Sequence, residues 1–344
     1  MKKLLFLFAA ITLFASCSKD DSESFNMEKQ KVYLVNLDPK LEESGSDTSL
    51  KVASLLKEAA LSSDVYMVQV LSKPQESDTA SYQNYACGLF DNLINMNIKL
   101  QEGYIYKFQT TLVKDAKNII NHWTDRNNNT LFYSPLSNPT TGTLSLSNSF
   151  NYSTTSYCNP VQSQTYLANS NYYNRPPVDR YYGEVSDFVP GDTQLSIALP
   201  MKRVAYGVKF VADGLTAGKL LINMQYAPDI IINSIDNSQV YQAIYTCTDI
   251  SSAWNFTESE TSFYSETVPV TISRIKADNT VVPLGKIQIA LQRNKLSSFT
   301  IKLQEASGTG QGTITVTETV GDITSGDSYS PDNGTVQEVP VTNP

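Results

Sequence analysis

Cys17 is the residue whose type and position most directly imply chemistry. It follows the small residues Ala15 and Ser16, and before them an apolar run over residues 4–14 comes after two lysines. The apolar run is shorter than the roughly 20 residues of a membrane-spanning helix, which is typical of a signal peptide. A thiol directly after small residues is what lipoprotein-processing enzymes require. We therefore predict that residues 1–16 are a lipoprotein signal peptide and that Cys17 becomes the first residue, carrying fatty acyl groups such as palmitate.

The residues after Cys17 bear on where the anchored chain would lie. Residues 18–23 read Ser-Lys-Asp-Asp-Ser-Glu, and we interpret residues 17–30 as a polar tether that cannot bury itself. The acidic stretch resembles the export signal of lipoproteins on the outer face of the outer membrane in certain gram-negative anaerobes. We therefore expect a lipid-anchored, surface-exposed protein of the cell outer membrane. The alternatives are an ordinary secretory signal with an incidental cysteine, and a tether that is only a linker.

Few other residues could bind a metal. Beyond Cys17 the chain has three widely spaced cysteines, Cys87, Cys158 and Cys247, and one histidine, His122, without any CxxC pair. Zinc sites need clustered Cys and His ligands, so we expect no metal and no cofactor. One disulfide could form among the three, but the sequence does not select the pair.

Catalysis through a nucleophile would have to use His122. No nucleophile motif such as G-x-S-x-G accompanies it, so a loop histidine is the expectation. The nearby Asp125-x-Asn-x-Asn pattern begins like a calcium loop. It has Thr130 where that loop needs glycine and Leu136 where it needs a bidentate acid, so calcium binding is not predicted.

A carboxylate pair is the remaining catalytic option. Asp179, Glu184 and Asp187 flank the tyrosines at 181–182, which could stack on a sugar while two acids act on it. Acids are too common in turns for the sequence to choose a pair. We expect an aromatic-rich strand here and no catalytic residue anywhere in the chain.

Length and charge narrow the class further. Removing 16 residues from 344 leaves 328, and losing Lys2 and Lys3 takes the formal charge from −8 to −10. A chain of this size usually forms two domains. Acidic composition without a basic stripe does not suit a phosphate backbone, so nucleic acid is not an expected partner.

The elements that would position these residues are strands. Abundant Tyr, Ser, Thr and Asn with scattered Gly and Pro is the composition of an all-β protein. We predict a hairpin of 93–100 and 104–112 around Gly103, and short helices over 50–61 and 83–92. Further strands are predicted at 31–37, 65–71, 194–199, 204–211, 219–224, 268–274, 286–291, 298–303 and 312–317.

Strand spacing predicts two β-sandwiches with minor helix, divided near Gly191. Residues 127–174 are rich in Asn, Ser, Thr and Tyr and are expected to decorate the first sandwich. The predicted organisation is a signal peptide at 1–16, a tether at 17–30, an N-terminal sandwich at 31–191, a C-terminal sandwich at 192–320 and a flexible tail at 321–344.

Several segments resemble the fimbrillin superfamily, the two-domain surface lipoproteins of type V pili and their relatives. The segments that carry this resemblance most specifically are Met-Lys-Arg-Val-Ala at 201–205 and Arg-Asn-Lys-Leu at 293–296. The resemblance covers about half of the mature chain and consists of strands and turns, carried by residues 100–104, 179–183, 195–205, 206–210, 289–296 and 299–303.

The resemblance implies two tandem transthyretin-like sandwiches and assembly by strand donation, in which one subunit completes the sheet of another. In polymerising members an Arg-specific protease removes the first strand. This chain departs from that pattern, because no arginine occurs between Cys17 and Arg126. The departure favours a subunit that keeps its first strand, such as an anchor or accessory protein, or cleavage after a lysine such as Lys40 or Lys51.

The sequence therefore predicts a non-enzymatic, fimbrillin-like surface lipoprotein that acts as a pilus subunit, anchor or adhesin. Its expected partners are the outer membrane, through Cys17, other fimbrillin-like subunits, and a ligand on a host or bacterial surface. Stalk, tip and anchor roles stay open. The alternative is a glycan-binding surface lipoprotein of a polysaccharide-uptake system, which would share the lipid anchor and the tyrosine-rich β-domains.

Overall fold

The structure, a computed structural model, describes the chain from residue 31 onward with gaps. Cys17, the predicted signal peptide and tether, and the predicted helix over 50–61 lie outside the described residues. From Val32 on, the chain forms a compact unit. None of the described helices has the length and apolar character to cross a membrane. The described ranges are 31–42, 63–77, 79–137, 144–155, 157–234, 240–259, 262–304, 313–323 and 337–342.

Strands dominate the described residues, which confirms the all-β prediction. The first eleven strands are β1 (Val32–Leu41), β2 (Val65–Pro74), β3 (Gln83–Phe90), β4 (Asn97–Gln101), β5 (Tyr104–Val113), β6 (His122–Thr124), β7 (Thr130–Phe132), β8 (Ser149–Tyr152), β9 (Thr165–Tyr166), β10 (Tyr172–Tyr173) and β11 (Arg180–Phe188). The next ten are β12 (Ser196–Arg203), β13 (Ala205–Asp213), β14 (Lys219–Met224), β15 (Ile230–Asn233), β16 (Val240–Thr246), β17 (Ser265–Ile275), β18 (Val281–Gln292), β19 (Lys295–Gln304), β20 (Thr313–Asp322) and β21 (Gln337–Val339). The helices are short: a 3₁₀ turn at Leu93–Asn95, α1 (Ala116–Ile119) and α2 (Ile250–Asn255).

The amino-terminal sandwich is built from one eight-stranded sheet that folds over itself. Its strand order is β4-β1-β12-β11-β5-β2-β3-β8. Residues 196–201 of β12 run parallel to β1, whereas its last two residues pair antiparallel with β11. The strand β12 therefore belongs to both layers of the sandwich, as strands that switch sheets do at sandwich corners.

Alternating apolar side chains fill the space between the two layers. A period of two places every second residue of a strand on the same face, so each layer presents one apolar face to the other. The buried set from both layers is Tyr33, Val35, Leu37, Val68, Val70, Ala86, Phe90, Met96, Ile98, Leu100, Tyr106, Phe108, Phe188, Ile197 and Leu199.

Gly183 makes the change of layer possible. It lies on β11 where β12 crosses from one layer to the other. A Cβ added there would stand 2.0 Å from the carbonyl oxygen of Pro200 and 3.1 Å from the Cα of Met201. Only glycine allows the two backbones to approach so closely.

The outer face of the layer containing β2, β3 and β5 is covered by the segment that the sequence predicted to be decoration. A second apolar cluster there includes Met67, Leu89, Phe132 and Leu167. The buried Arg180 secures this cover from beneath. Its guanidinium donates to Thr111 Oγ1 (2.8 Å) and to the carbonyl oxygens of Gln162 (2.6 Å) and Pro160 (2.7 Å).

The carboxy-terminal sandwich has two separate sheets facing one another. The first has the order β16-β13-β19-β20-β21, and the second has the order β15-β14-β17-β18. Pairs are antiparallel except that β13 runs parallel to β19. One large apolar cluster, with Phe210 and Phe299 stacked at 5.4 Å, lies between them.

The predicted division near Gly191 does not match the sheet topology. The strand β12, expected to start the second sandwich, pairs with β1 and β11 of the first. The first strand of the second sandwich is β13, which follows the buried Val204. Sequence patterning marked both strands correctly, but it does not specify which strand each one pairs with. We propose that the division falls at Val204.

Three further expectations differ from the structure. The strands β4 and β5 do not pair with one another across Gly103, since β4 pairs with β1 and β5 with β2 and β11. The predicted helix over 83–92 is mostly β3. The tail predicted over 321–344 contains β21, which pairs with β20, and Thr342 bonds to Lys286 of β18. Each difference arises because tertiary pairing overrides local preference.

The two sandwiches are joined by buried polar contacts. Arg175, just before β11, donates to Glu266 Oε2 of β17 at 2.8 Å, and to the hydroxyl of Tyr206 on β13. Burial opposes the charge of Arg175, but Tyr206 and Glu266 outweigh it, so its pKa is raised. The ring of Tyr182 on β11 packs edge-on against Trp254 of α2, with centroids 5.8 Å apart.

Replacing Gly183 with alanine tests the crossing of β12 over β11. The added methyl would collide with the backbone of Pro200, so we expect Gly183→Ala to lower the free energy of unfolding by about 3 kcal/mol in chemical denaturation. Gly191→Ala is the matched control, because its Cβ meets nothing within 4 Å; we expect a change within about 0.5 kcal/mol. Equal effects of the two substitutions would contradict the proposed close approach.

Candidate functional site

The first strand occupies a slot between two others. Residues 32–36 of β1 pair antiparallel with residues 97–101 of β4, and residues 36–41 pair parallel with residues 196–201 of β12. The amide of Leu37 donates to the carbonyl of Met96 at 2.8 Å. The slot therefore offers backbone partners along its whole length, from β4 over the first half and from β12 over the second, and the two overlap at Asn36 and Leu37.

The two faces of β1 differ sharply. Tyr33, Val35 and Leu37 point into the core and are at most 7% exposed, whereas Val32 and Leu34 on the other face are 53% and 59% exposed. Burying a large apolar side chain contributes about 2 kcal/mol, so the inward face stabilises the sandwich substantially. Removing β1 would expose the core and leave β4 and β12 without their partner.

The far edge of β4 is closed by tyrosine hydroxyls. The backbone amide of Lys99 donates to the hydroxyl of Tyr152 (2.8 Å), and its carbonyl accepts from Tyr85 (2.7 Å). Tyr106 accepts from the amide of Gln101 at 2.8 Å. These groups occupy the donors and acceptors that an added strand would need. At Lys99 and Gln101 the far edge of β4 is therefore not open to an added strand, whereas β1 is held by backbone pairing with β4 and β12.

Side chains also hold both ends of β1. The hydroxyl of Tyr33 donates to Glu102 Oε1 at 3.1 Å. At the other end the amide of Glu42 donates to the carbonyl of Met201 at 2.8 Å, and the Glu42 carboxylate lies 3.6 Å from Arg293. These contacts hold β1 in place in addition to its hydrogen bonds within the sheet.

Basic residues that a protease could recognise lie in different settings. Arg126 is exposed in the turn between β6 and β7, so a cut there would separate β1 to β6 together from the rest. Lys40 is within β1, paired with Pro200, and its Nζ lies 2.7 Å from Asp38. Lys51 lies outside the described residues. Neither described residue offers an accessible cut that would release β1 alone.

Two of the three carboxylates considered for catalysis are occupied by different partners. Asp179 accepts two hydrogen bonds of 3.0 Å from Arg203. The exposed Asp187 accepts from the hydroxyl of Tyr82 at 2.9 Å and lies 3.9 Å from Lys73. The two carboxylates therefore form contacts that hold a strand to its neighbours.

Glu184 is the third carboxylate. It lies 2.5 Å from the ammonium of Lys107, accepts from Gln109 Nε2 at 2.9 Å and also bonds to the hydroxyl of Tyr182. Burial raises the pKa of Glu184, but Lys107 and the two neutral donors outweigh it, so the net pKa is lowered. A general acid needs a raised pKa, so this carboxylate is not poised to donate a proton.

His122 and Asp125 also have structural roles. The ring of His122 bonds through Nδ1 to the carbonyl of Ile120 at 3.0 Å and packs against Phe132. Asp125 Oδ1 accepts from the amides of Asn127 and Asn129, both at 2.8 Å, which closes the turn. Nowhere in the described part of the chain do three or more metal-ligating side chains converge.

A row of aromatic rings on the decorating segment was not found from the sequence. Trp123, Tyr133, Tyr166 and Tyr172 are in successive contact, with centroid distances of 4.7, 4.8 and 4.3 Å. Tyr172 at the end of the row is 49% exposed. The tyrosine-rich composition was the available signal, but the rings come from separate short strands that only the fold brings together.

Comparisons with known proteins add fold-level similarity. No family model matches the chain, and no curated protein matches it. Similar solved structures include the fimbrial anchor protein Mfa2 from Porphyromonas gingivalis, with 7% identity, coverage of 85% of this chain and 98% of that chain, and a TM-score of 0.38. A fimbrial assembly protein from Parabacteroides distasonis has 9% identity, coverage of 90% and 99%, and a TM-score of 0.34.

The tip fimbrial protein Mfa3 from Porphyromonas gingivalis, with C-terminal truncation, is also similar. It has 10% identity, coverage of 85% of this chain and 99% of that chain, and a TM-score of 0.31. These three similar structures are described as fimbrial proteins. TM-scores of this size do not assign the chain to a family or a function.

Substitutions on the two faces of β1 test how the strand is held. Val35→Asp would place a carboxylate in the apolar core, and we expect a loss of at least about 3 kcal/mol in the free energy of unfolding. Leu34→Asp, one residue away on the exposed face, should change it by no more than about 0.5 kcal/mol. Chemical denaturation monitored by tryptophan fluorescence measures both, and a larger effect at Leu34 would show that the faces are assigned wrongly.

Proposed function

We propose that this protein is a non-enzymatic surface lipoprotein that acts as a pilus subunit, anchor or adhesin by strand complementation. The observation that carries the proposal is the position of β1, inserted between β4 and β12 with its apolar face in the core. A strand in such a slot can come from the same chain or from another subunit, since backbone pairing recognises any extended segment with matching apolar spacing.

The slot defines what a replacement strand must look like. It must run in the direction of β1, antiparallel to β4 and parallel to β12, to satisfy both edges. It must also present apolar residues at the positions of Tyr33, Val35 and Leu37. Other fimbrillin-like subunits, which supply strands of this kind, are the partners that fit.

The basic residues favour a subunit that retains β1. No arginine lies between Cys17 and Arg126, and Lys40 is held inside the sheet. An anchor or accessory subunit would keep the strand and remain tethered to the outer membrane through acylated Cys17. Cleavage after Lys51 is the competing version, in which the lipid is lost together with β1.

A peptide-complementation experiment tests exchange in the slot. A variant lacking residues 32–41 is refolded with a synthetic peptide of residues 31–42. We expect the peptide to bind and to restore the melting temperature towards that of the intact protein, because it refills the groove between β4 and β12. A matched peptide with Val35→Asp and Leu37→Asp should neither bind nor restore it.

The form of the protein in cells shows whether β1 is retained and whether subunits are linked through strands. Mass spectrometry of the surface-extracted protein identifies its first residue, and unheated gels reveal strand-linked complexes. An acylated Cys17 with co-purifying fimbrillin-like subunits supports the anchor or accessory role, whereas loss of β1 with a ladder of polymers supports a stalk subunit. If the protein stays monomeric under every condition and its variant without β1 does not bind the peptide, strand complementation is ruled out.

The aromatic row favours one second function, glycan binding. Exposed aromatic faces stack on sugar rings, and the row from Trp123 to Tyr172, which ends in an exposed ring, could do this. A surface lipoprotein of a polysaccharide-uptake system would use it to capture oligosaccharides.

A glycan array separates this function from the first. If the aromatic row binds sugars, Tyr172→Ala and Trp123→Ala should lower oligosaccharide binding by at least about tenfold, a loss typical of a stacking contact. Tyr157→Ala is the control, since Tyr157 is exposed and lies outside the row. Absence of reproducible binding by the intact protein would remove the glycan-binding alternative.

A further inference from the structure

Two of the three cysteines considered for a disulfide are brought to the same place by the fold. Cys87 on β3 and Cys158, in the segment between β8 and β9, belong to one apolar cluster beneath the decorating segment. Cys247 lies in the core of the other sandwich. All three are buried thiols.

Gln69 fixes the position of Cys158 beside Cys87. Gln69 on β2 is directly opposite Cys87 in the β2–β3 pairing. Its side-chain Oε1 accepts from the backbone amide of Cys158 at 2.6 Å, while the Cys158 sulfur lies 3.9 Å from the carbonyl of Val68. The buried amide group thus holds the later cysteine over the strand pair that carries the earlier one.

The two thiols are in hydrogen-bonding contact. The side chain of Cys158 lowers the pKa of Cys87, whereas burial, with Cys87 beside it, raises the pKa of Cys158. Neighbouring sulfur atoms are necessary for a bond between them, and the cluster around these two contains no third cysteine among the described residues.

We propose that Cys87 and Cys158 form a disulfide in the exported protein, and that Cys247 stays a thiol. The inference rests on the export of the chain, which is part of the proposed function, because disulfides form and persist outside the cytoplasm. It does not depend on whether the protein assembles into a pilus.

Thiol–disulfide exchange supplies the chemistry. The thiolate of one cysteine attacks a disulfide of the oxidant, a small molecule or an oxidoreductase, and forms a mixed disulfide while one oxidant thiol leaves. The second protein thiolate then attacks the sulfur of the first, releasing the other oxidant thiol. Overall two protein thiols and one oxidant disulfide become one protein disulfide and two oxidant thiols. Because both thiols are buried in the fold, the exchange takes place before the segment has docked.

The bond would close a long loop. About 70 residues separate the two cysteines, and cross-links that close long loops restrict the unfolded chain most. The loop includes β4 to β8 and the decorating segment as far as Cys158, so the bond would secure the cover of the sheet that faces the β1 slot across the sandwich core.

Peptide mapping of the exported protein tests the proposal directly. Protein extracted from cell membranes is denatured in excess N-ethylmaleimide without reductant, digested and examined by mass spectrometry. We expect a cross-linked peptide that contains Cys87 and Cys158, and alkylated Cys247. Alkylation of both Cys87 and Cys158, or a cross-link to Cys247, overturns the proposal. The readout is covalent and is the same whether the protein is monomeric or assembled.

Melting temperatures give a second readout. Cys87→Ala, Cys158→Ala and the double variant should melt at the same temperature, about 5 °C or more below the wild type, because each removes the same bond. A reductant should bring the wild type to that temperature and leave the variants unchanged. Cys247→Ala is the control that retains sensitivity to reductant. Additive effects of the two single substitutions, with no effect of reductant on the wild type, would indicate separate packing roles and no bond.

Discussion

The pairing of β12 with two different strands is the constraint on which the amino-terminal sandwich depends. Residues 196–201 complete the layer of β1 and β4, and the last two residues of the strand join the layer of β11. A single strand therefore connects both layers, and the missing side chain of Gly183 gives it room to cross. Without that crossing the layer of β4 and β1 would have no sheet connection to the rest of the domain.

This arrangement makes β1 both essential and replaceable. Its apolar face fills the core, so the slot cannot remain empty without a large loss of buried area. Its backbone partners, however, recognise an extended chain and not a particular sequence. The tyrosine hydroxyls on the far edge of β4 prevent the same recognition there. Under the proposed function, an incoming strand would therefore pair in the β1 slot and not along the far edge of β4.

The sandwiches are held as neighbours by buried polar groups more than by a linker. Arg175 reaches Tyr206 and Glu266 in the second sandwich, and breaking a buried pair of this kind leaves a charge unpaired. Val204, the residue between β12 and β13, is fully buried. The two sandwiches therefore follow one another without an exposed linker at this residue.

Strand positions were largely predictable, whereas strand partners were not. Period-two patterns located β1, β2, β12 to β14 and β17 to β20, because the alternation of apolar residues is a local property. The hairpin around Gly103 was wrong, since it depends on which strand lies beside which, and the proposed division at Val204 in place of Gly191 depends on the same pairing. The aromatic row and the contact between Cys87 and Cys158 were also not predicted from the sequence, because their members lie far apart in the chain.

The sequence by itself determined that this is an all-β chain with a predicted lipid-anchor signal, no clustered metal ligands and no arginine ahead of Arg126. These properties follow from composition, local periodicity and short-range motifs. The tertiary structure decided that β1 fills a slot between β4 and β12, that β12 belongs to the first sandwich, and which cysteines meet. Those results depend on pairing between distant segments, where the energy of burial selects among strands that look alike in sequence.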